Sequence, residues 1–284
     1  MPLTPVSELI TTARPGGLGA FNVITLEHAE AIAAAAESTK RPVVLQLSEN
    51  TVAYHGSIAP IALACLRIAA DSTADIAVHL DHATSFDLIR AAVDLGIRSI
   101  MYDGSTLDYT ANVAATAEIT RWCHDHDVFV EAELGEVGGK DGAHTPGVRT
   151  DPDAAVEFVA TTGVDALAVA VGSSHAMHTR TAELDNDLIA GLAAKVPVPL
   201  VLHGSSGVPD EGLRAAVEHG MTKINIATRL NVLATEAIRT TLAGSPDISD
   251  PRKYLTPARA AVQSEVEYLL RLLDAQSAPA RPSA

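Results

Sequence analysis

Eight short runs rich in Val, Ile and Leu, each followed by a longer stretch with apolar residues at helical spacing, constrain this chain more than any other feature. The runs lie near Gly19–Val23, Pro42–Leu47, Ile76–Asp81, Ser99–Tyr102, Val128–Glu133, Ala166–Val171, Pro199–His203 and Lys223–Ala227. Between and after them sit helical patterns near Leu26–Lys40, Ile58–Asp71, Ser85–Leu95, Asn112–Asp125, Asp153–Thr162, Asp185–Lys195, Asp210–His219 and Leu230–Ala243, then one more near Pro257–Leu273. Near-continuous apolar runs joined by such segments mark parallel strands with crossover helices. Eight β-then-α units in 284 residues predict an α/β fold, a closed (β/α)8 TIM barrel with a C-terminal helical extension, rather than an open doubly wound sheet. Residues 1–275 read as one barrel, and 276–284, with their Ser, Pro and Ala, as a disordered tail. Ser85 and Asp153 are placed to cap helix starts, and Gly96 and Gly220 fall where helices should stop.

Charge and cysteine usage remove several function classes. With 20 Lys+Arg against 35 Asp+Glu the formal charge is −15, which repels nucleic acid and anionic membrane surfaces. Cys65 and Cys123 are far apart and lack CxxC spacing, so neither a disulfide framework nor a thiolate metal site is expected. The first nine residues lack a basic region followed by an apolar run, and no stretch reaches the roughly 18 apolar residues of a membrane span, which predicts a cytoplasmic protein.

In a barrel of this type the chemistry sits at the C-terminal ends of the strands. Those ends are polar throughout this chain: Asn22 after the first run, Ser48 after the second, Asp81 and His82 after the third and Asp103 after the fourth. Glu131 and Glu133 follow on the fifth, His175 beyond the sixth, His203 to Gly207 on the seventh and Asn225 to Thr228 on the eighth. His82, His175 and His203 come from three strands and are placed to converge, and three neutral imidazoles with an open position describe a catalytic zinc or similar divalent site. Asp81 beside His82 suits an acid/base group next to a ligand, the two side chains pointing in different directions from one strand end. Asp103 and Glu133 add negative charge that calls for a cation or a shared proton, as a secondary metal position or as hydrogen-bonding groups. His79, one layer below Asp81, reads as a buried or supporting histidine. Gly204, Ser205, Ser206, Asn225, Ile226, Ala227 and Thr228 occupy the place where barrels commonly hold phosphate on backbone N–H groups. None of the five lysines ends the sixth strand, and Lys223 lies beneath Asn225, so Schiff-base chemistry is not expected. The loop from Gly135 to Asp151, with its glycines and no apolar periodicity, leaves the end of the fifth strand and reads as functional.

Taken in order, Ala20-Phe21-Asn22-Val23, Gln46-Leu47-Ser48, His79-Leu80-Asp81-His82-Ala83, Ser99 to Ser105, Val130 to Gly135, Leu200 to Gly204 and Asp250 to Leu255 resemble the class II, metal-dependent fructose-bisphosphate and tagatose-bisphosphate aldolases over nearly the whole chain. The resemblance implies one catalytic Zn2+ per chain on His82, His175 and His203, with Asp103 and Glu133 at an alternative position for a second divalent or a monovalent cation. It implies that Asp81 handles the C4 hydroxyl proton. The phosphate of dihydroxyacetone phosphate would lie on Gly204 to Ser206 and Asn225 to Thr228, with Asn22 and Ser48 as further substrate contacts. Arg252 stands where the family reaches a second phosphate across a subunit interface, implying a homodimer or homotetramer with a small sugar phosphate as partner.

Two departures stand out. The family usually has Gly after the strand-six histidine, where the backbone helps hold phosphate and where this chain has Ala176 as the corresponding substrate-binding position, and the mobile loop, which usually supplies a glutamate, reads Gly138 to His144. Asp141 is a candidate to take the part of that glutamate, with a reach shorter by one methylene, and His144 is a second candidate. Fructose 1,6-bisphosphate is the expected substrate. Tagatose 1,6-bisphosphate or another ketose phosphate, a non-catalytic sugar-phosphate-binding subunit, and a zinc hydrolase remain as alternatives.

Overall fold

The computed structural model describes residues 4–134 and 149–274. Eight strands, β1 Leu18–Asn22, β2 Val43–Ser48, β3 Ile76–Ala83, β4 Ser99–Tyr102, β5 Phe129–Leu134, β6 Ala166–Val169, β7 Leu200–Leu202 and β8 Met221–Ile226, close into a barrel in chain order. Every neighbouring pair is parallel, and β1 closes the ring on β8 through Leu18 beside Lys223 and Ala20 beside Asn225. Around it lie α1 Val6–Ala13, α2 Leu26–Thr39, α3 Glu49–His55, α4 Ala59–Asp71, α5 Phe86–Asp94, α6 Tyr109–His124, α7 Pro152–Thr162, α8 Asn186–Lys195, α9 Asp210–Glu218, α10 Thr228–Gly244 and α11 Pro251–Leu272. The predicted closed α/β barrel is the observed architecture. No single described helix is long and apolar enough to cross a membrane.

Local chemistry explains most boundaries. Ser85 caps α5 by accepting the Leu88 N–H, and Gly96 and Gly220 follow α5 and α9 in left-handed conformations with φ of 104° and 121°. The α7 cap is Asp151, not Asp153: its carboxylate accepts the N–H groups of Asp153 and Ala154, and Pro152 opens the helix. Likewise α11 starts at Pro251 behind the cap Asp250, so Pro257 lies inside it instead of opening it. An internal proline forfeits one backbone hydrogen bond. The helix runs through because it lies against α2 and α10. Two helices were not foreseen. In α1 the buried Val6, Leu9, Ile10 and Ala13 plug the N-terminal end of the barrel. The seven-residue α3 buries only Thr51 and is started by Ser48, whose hydroxyl accepts the Thr51 N–H.

Two apolar regions flank the strands. Alternate strand residues such as Val43, Leu45 and Leu47 face the helices in one large core. The other set points into the barrel, where Leu18, Ala20, Val44 and Ala77 join α1, and Ala166, Ala168 and Val201 pack near Phe129. Two residues further along most strands the inward positions turn polar: Asn22, Gln46, His79, Glu131, His203 and Lys223.

Candidate active site

At the C-terminal mouth of the barrel opens a cavity of about 620 Å³, lined among others by Asn22, Ser48, Asp81, His82, Asp103, His175, Ala176, Gly204, Ser206, Asn225, Ala227 and Thr228. A hollow of about 900 Å³ lies at the opposite end, between α1 and the strand starts, and holds none of the predicted site residues.

At the mouth, His82, Glu133, His175 and His203 each bring a ligand atom within 4.8 Å of the others. Their rings meet edge to face, with centroids 4.6 Å apart for His82 and His203 and 5.1 Å apart for His82 and His175. Three backbone features make this convergence. At His82 the chain is left-handed, with φ of 51°, where β3 shifts register against β4 between Leu80 and Ala83. Asp81 and His82, both within that irregular stretch, line the cavity together. Gly204 has φ of 66°, and a Cβ there would sit 2.6 Å from the Ser174 carbonyl oxygen; the β6 and β7 loops therefore touch backbone to backbone, bringing His175 near His203. Ala176 is also left-handed, at φ of 56°, a conformation that costs an L-residue roughly 1–2 kcal/mol and that glycine adopts freely.

Hydrogen bonds orient the ligands from behind. His82 Nδ1 lies 2.7 Å from Asp103 Oδ2, while Asp103 Oδ1 accepts from the Ser105 hydroxyl at 2.6 Å. Asp103 thus braces His82 from outside the four-donor group, and Glu133 belongs to that group, 3.3 Å from His203 Nδ1. On its other side His203 Nε2 lies 3.0 Å from Glu131 Oε1, and the Lys223 ammonium donates to Glu131 Oε2 at 2.8 Å. His79 Nδ1 lies 2.7 Å from Ser99 Oγ, in the same fully buried layer.

Asp81 stands in a relay, with the Gln46 amide donating to Asn22 Oδ1 and the Asn22 amide donating to Asp81 Oδ2 at 3.0 Å. Its Oδ1 has no hydrogen-bond partner among the described residues. Burial pushes the Asp81 carboxyl up, but the fields of His82, His203, Lys223 and His79 more than reverse this and hold it ionised, well below the usual carboxylate range. Burial pushes His203 down, yet its hydrogen bonds to Glu131 and Glu133 outweigh burial and raise it to about 9. Between two glutamates, His203 is drawn toward carrying a positive charge. A divalent cation at the same point would supply that charge directly, and three imidazoles with a carboxylate are a donor set that suits one. Burial lifts Glu131, and the Lys223 ammonium and the His203 contact bring it down to about 2. His79 is lowered to about 3, first by burial and then by Lys223.

The phosphate-side residues divide. Asn225 is 7% exposed and lines the cavity, and neither its amide oxygen nor its nitrogen is hydrogen-bonded within the described chain. Ser206 Oγ accepts from the N–H groups of Ala227 and Arg229 at the start of α10. By contrast, the Ser205 hydroxyl is buried and donates to the Leu202 carbonyl, and Ile226 packs in the outer core, so neither side chain is turned to the cavity and neither residue lines it. Arg252 stands apart, 88% exposed and paired with Asp250. Asp141 and His144 lie outside the described residues. Lys223 is fully buried on Glu131, away from the cavity. Sequence reasoning had assigned no role to Glu131 or Gln46. Their signal was the two-residue spacing, Glu131 with Glu133 and Gln46 with Ser48, that places both members of each pair on the inward face.

Comparison with known proteins gives a consistent result. The sequence profile described as "Fructose-bisphosphate aldolase class-II" matches residues 4–278. A "Probable fructose-bisphosphate aldolase" of Bacillus subtilis is 38% identical over 272 residues, 94% of this chain and 95% of that protein. The "Fructose-bisphosphate aldolase" of Geobacillus stearothermophilus is 37% identical over 272 residues, with the same coverage of 94% and 95%. Among solved structures, the YdjI aldolase from Escherichia coli K12 superposes with a TM-score of 0.85 at 29% identity, covering 97% of this chain and all of that one.

Proposed function

Because the chain belongs to the class II fructose-bisphosphate aldolase family, and is accordingly an aldehyde lyase that breaks and forms carbon–carbon bonds, we propose that it cleaves fructose 1,6-bisphosphate reversibly to dihydroxyacetone phosphate and an aldehyde in the cavity at the barrel mouth. One observation carries this reading: ligand atoms from His82, Glu133, His175 and His203 gather within 4.8 Å of one another, and Asp81 stands beside them in the same cavity.

His82, His175 and His203 would hold Zn2+, with Glu133 as the adjoining carboxylate and Asp103 bracing His82. When bound, the cation supplies Lewis-acid stabilisation of the negative charge that builds on the carbonyl side of the ketose as C3 and C4 separate. The protein's own groups do the rest. Asp81, ionised and fixed by Asn22 through Oδ2, takes the C4 hydroxyl proton on its open Oδ1; the C4–O bond becomes a carbonyl, and the C3–C4 electron pair passes to the dihydroxyacetone phosphate half. In condensation the same proton returns. Asn225 offers an unpartnered amide to substrate oxygens, and the backbone of Gly204 to Ser206 and Asn225 to Thr228 receives the phosphate. Ser48 bounds the cavity on the β2 side. Proton exchange at C3 falls to Asp141, with His144 as its alternate. Arg252, exposed and outside its own cavity, serves a neighbouring subunit in a cytoplasmic homodimer or homotetramer.

The test is a coupled assay of dihydroxyacetone phosphate release from fructose and tagatose 1,6-bisphosphates, before and after EDTA and again after Zn2+. Cleavage that EDTA removes and Zn2+ restores is expected, faster with fructose. Faster cleavage of tagatose would replace the substrate, and no cleavage of either by zinc-containing protein would overturn the reading.

A further inference from the structure

Directly beneath the four-donor cluster the barrel holds a charged pair with no contact to solvent. Lys223 on β8 and Glu131 on β5 are both fully buried, and their 2.8 Å contact spans the barrel interior. Each oxygen of Glu131 is committed, Oε2 to Lys223 and Oε1 to His203 Nε2 at 3.0 Å. His79 Nε2 stands 4.0 Å from Oε2.

Stability does not account for this pair. Removing two ions from water costs several kcal/mol per ion, and well-packed apolar residues in place of a buried pair are often neutral or stabilising. The same barrel fills the rows below with Leu18, Ala20, Val44, Ala77, Ala168 and Val201. What the pair does to His203 is specific. A carboxylate facing Nε2 keeps a proton on that nitrogen, so when a cation takes the place of the ring's second proton it is Nδ1, 3.3 Å from Glu133 Oε2 and inside the cluster, that offers the lone pair. Lys223 supplies the counter-charge that a carboxylate at zero exposure needs, and it leaves the pair neutral, so it adds no net repulsion toward a cation above it.

We infer that the Lys223–Glu131 pair is a positioning device for His203, fixing the tautomer and ring orientation in which Nδ1 faces a divalent cation. The inference rests on the metal reading of the His82, His175, His203 and Glu133 cluster. Neither Lys223 nor Glu131 lines the cavity, so both act through His203 and not on substrate.

The test uses Co2+ as the probe, titrated against a chelator into the full chain and followed by its visible d–d spectrum. Glu131→Gln is compared with Glu131→Gln/Lys223→Met, which removes both charges together and leaves no lysine buried alone. Both should bind Co2+ about 10–100-fold more weakly, the usual effect of losing an outer partner of a ligand histidine, with a changed spectrum. A folded double variant with the wild-type affinity and spectrum would overturn the inference and leave a plain core ion pair. His175→Ala separates this from failure of the metal reading: wild-type Co2+ affinity in that variant removes the metal site and the inference together. Should the double variant not fold, 15N-histidine NMR of the wild-type protein with Zn2+ decides. The His203 signals, assigned by their loss in His203→Gln, should show a protonated Nε2 and a metal-bound Nδ1, and the opposite tautomer would overturn the inference.

Discussion

The lower and upper halves of the barrel interior are made by the same eight strands, yet they obey opposite rules. Below, Leu18, Ala20, Val44, Ala77 and α1 form an apolar plug. Above, fully buried Gln46, His79, Glu131, Glu133, His203 and Lys223 occupy the continuing inward rows. The strand geometry is the same in both halves; what differs is whether a polar group finds a partner. Glu131 has Lys223 and His203, His79 has Ser99, and Gln46 has Asn22. A side chain of that polarity one row lower would face only hydrocarbon. The lower half therefore holds the barrel shut, and the upper half carries charge at nearly zero exposure because its charges are matched.

The sharpest way to break this contrast is to move a charge downward. Val44→Asp puts a carboxylate into the apolar cluster of Leu18, Ala20 and Ala77, and should cost more than about 4 kcal/mol, seen in urea unfolding as loss of the cooperative transition. A normal transition would mean that the lower half is wetter than it looks. Next in size is Asp81→Asn, which keeps the shape and removes the charge in the upper half. Turnover should fall on the order of 10²–10⁴-fold with metal content unchanged, measured by dihydroxyacetone phosphate release and elemental analysis. Unchanged turnover would remove Asp81 from the chemistry.

A third prediction concerns acid. His79 is held neutral in the fold, its pKa lowered to about 3, whereas the unfolded chain takes up a proton near 6.5. Between those values the unfolded state binds more protons, so stability falls as pH falls from 6.5 toward 3, by at most about 1.4 kcal/mol per pH unit from this group. His203 has the opposite sign. Raised to about 9, it stabilises the metal-free fold fully below pH 6.5 and loses that contribution as pH rises through 9. Urea midpoints of chelated protein across pH 5 to 10 should therefore form a dome, and a flat acid limb would show that His79 is not buried as a neutral ring. Smallest is Ala176→Gly, which relieves the left-handed strain at φ of 56° and should stabilise by up to about 1 kcal/mol with metal content unchanged. A lower urea midpoint would mean that the methyl group contributes packing that exceeds its strain.

Much of this was legible in the chain. Short apolar runs and helical patterns located all eight strands and most of the helices between them, because each pattern is written locally in the residues that form the element. The α1 helix was missed although Val6, Leu9, Ile10 and Ala13 follow helical spacing, while α3 buries so little that it carries no pattern to read. Polar strand ends marked out most of the cavity lining, since a group such as Asn22 or Asp81 at the end of an apolar run must meet a partner or a ligand. Arg252 was placed by family likeness alone, and in the single chain it faces solvent.

The sequence by itself determined the barrel, its orientation and the roster of histidines and carboxylates at one end. Only the tertiary structure decided which of them meet. Asp81 and His82 share one cavity where the chain turns left-handed at His82, Glu133 joins the cluster while Asp103 braces it, and Lys223 reaches across to Glu131, so that no lysine among the described residues lines the mouth. The reason is physical: alternation along a strand is set by neighbouring residues, whereas contacts across a closed barrel depend on the register of strands as far apart in sequence as β1 and β8.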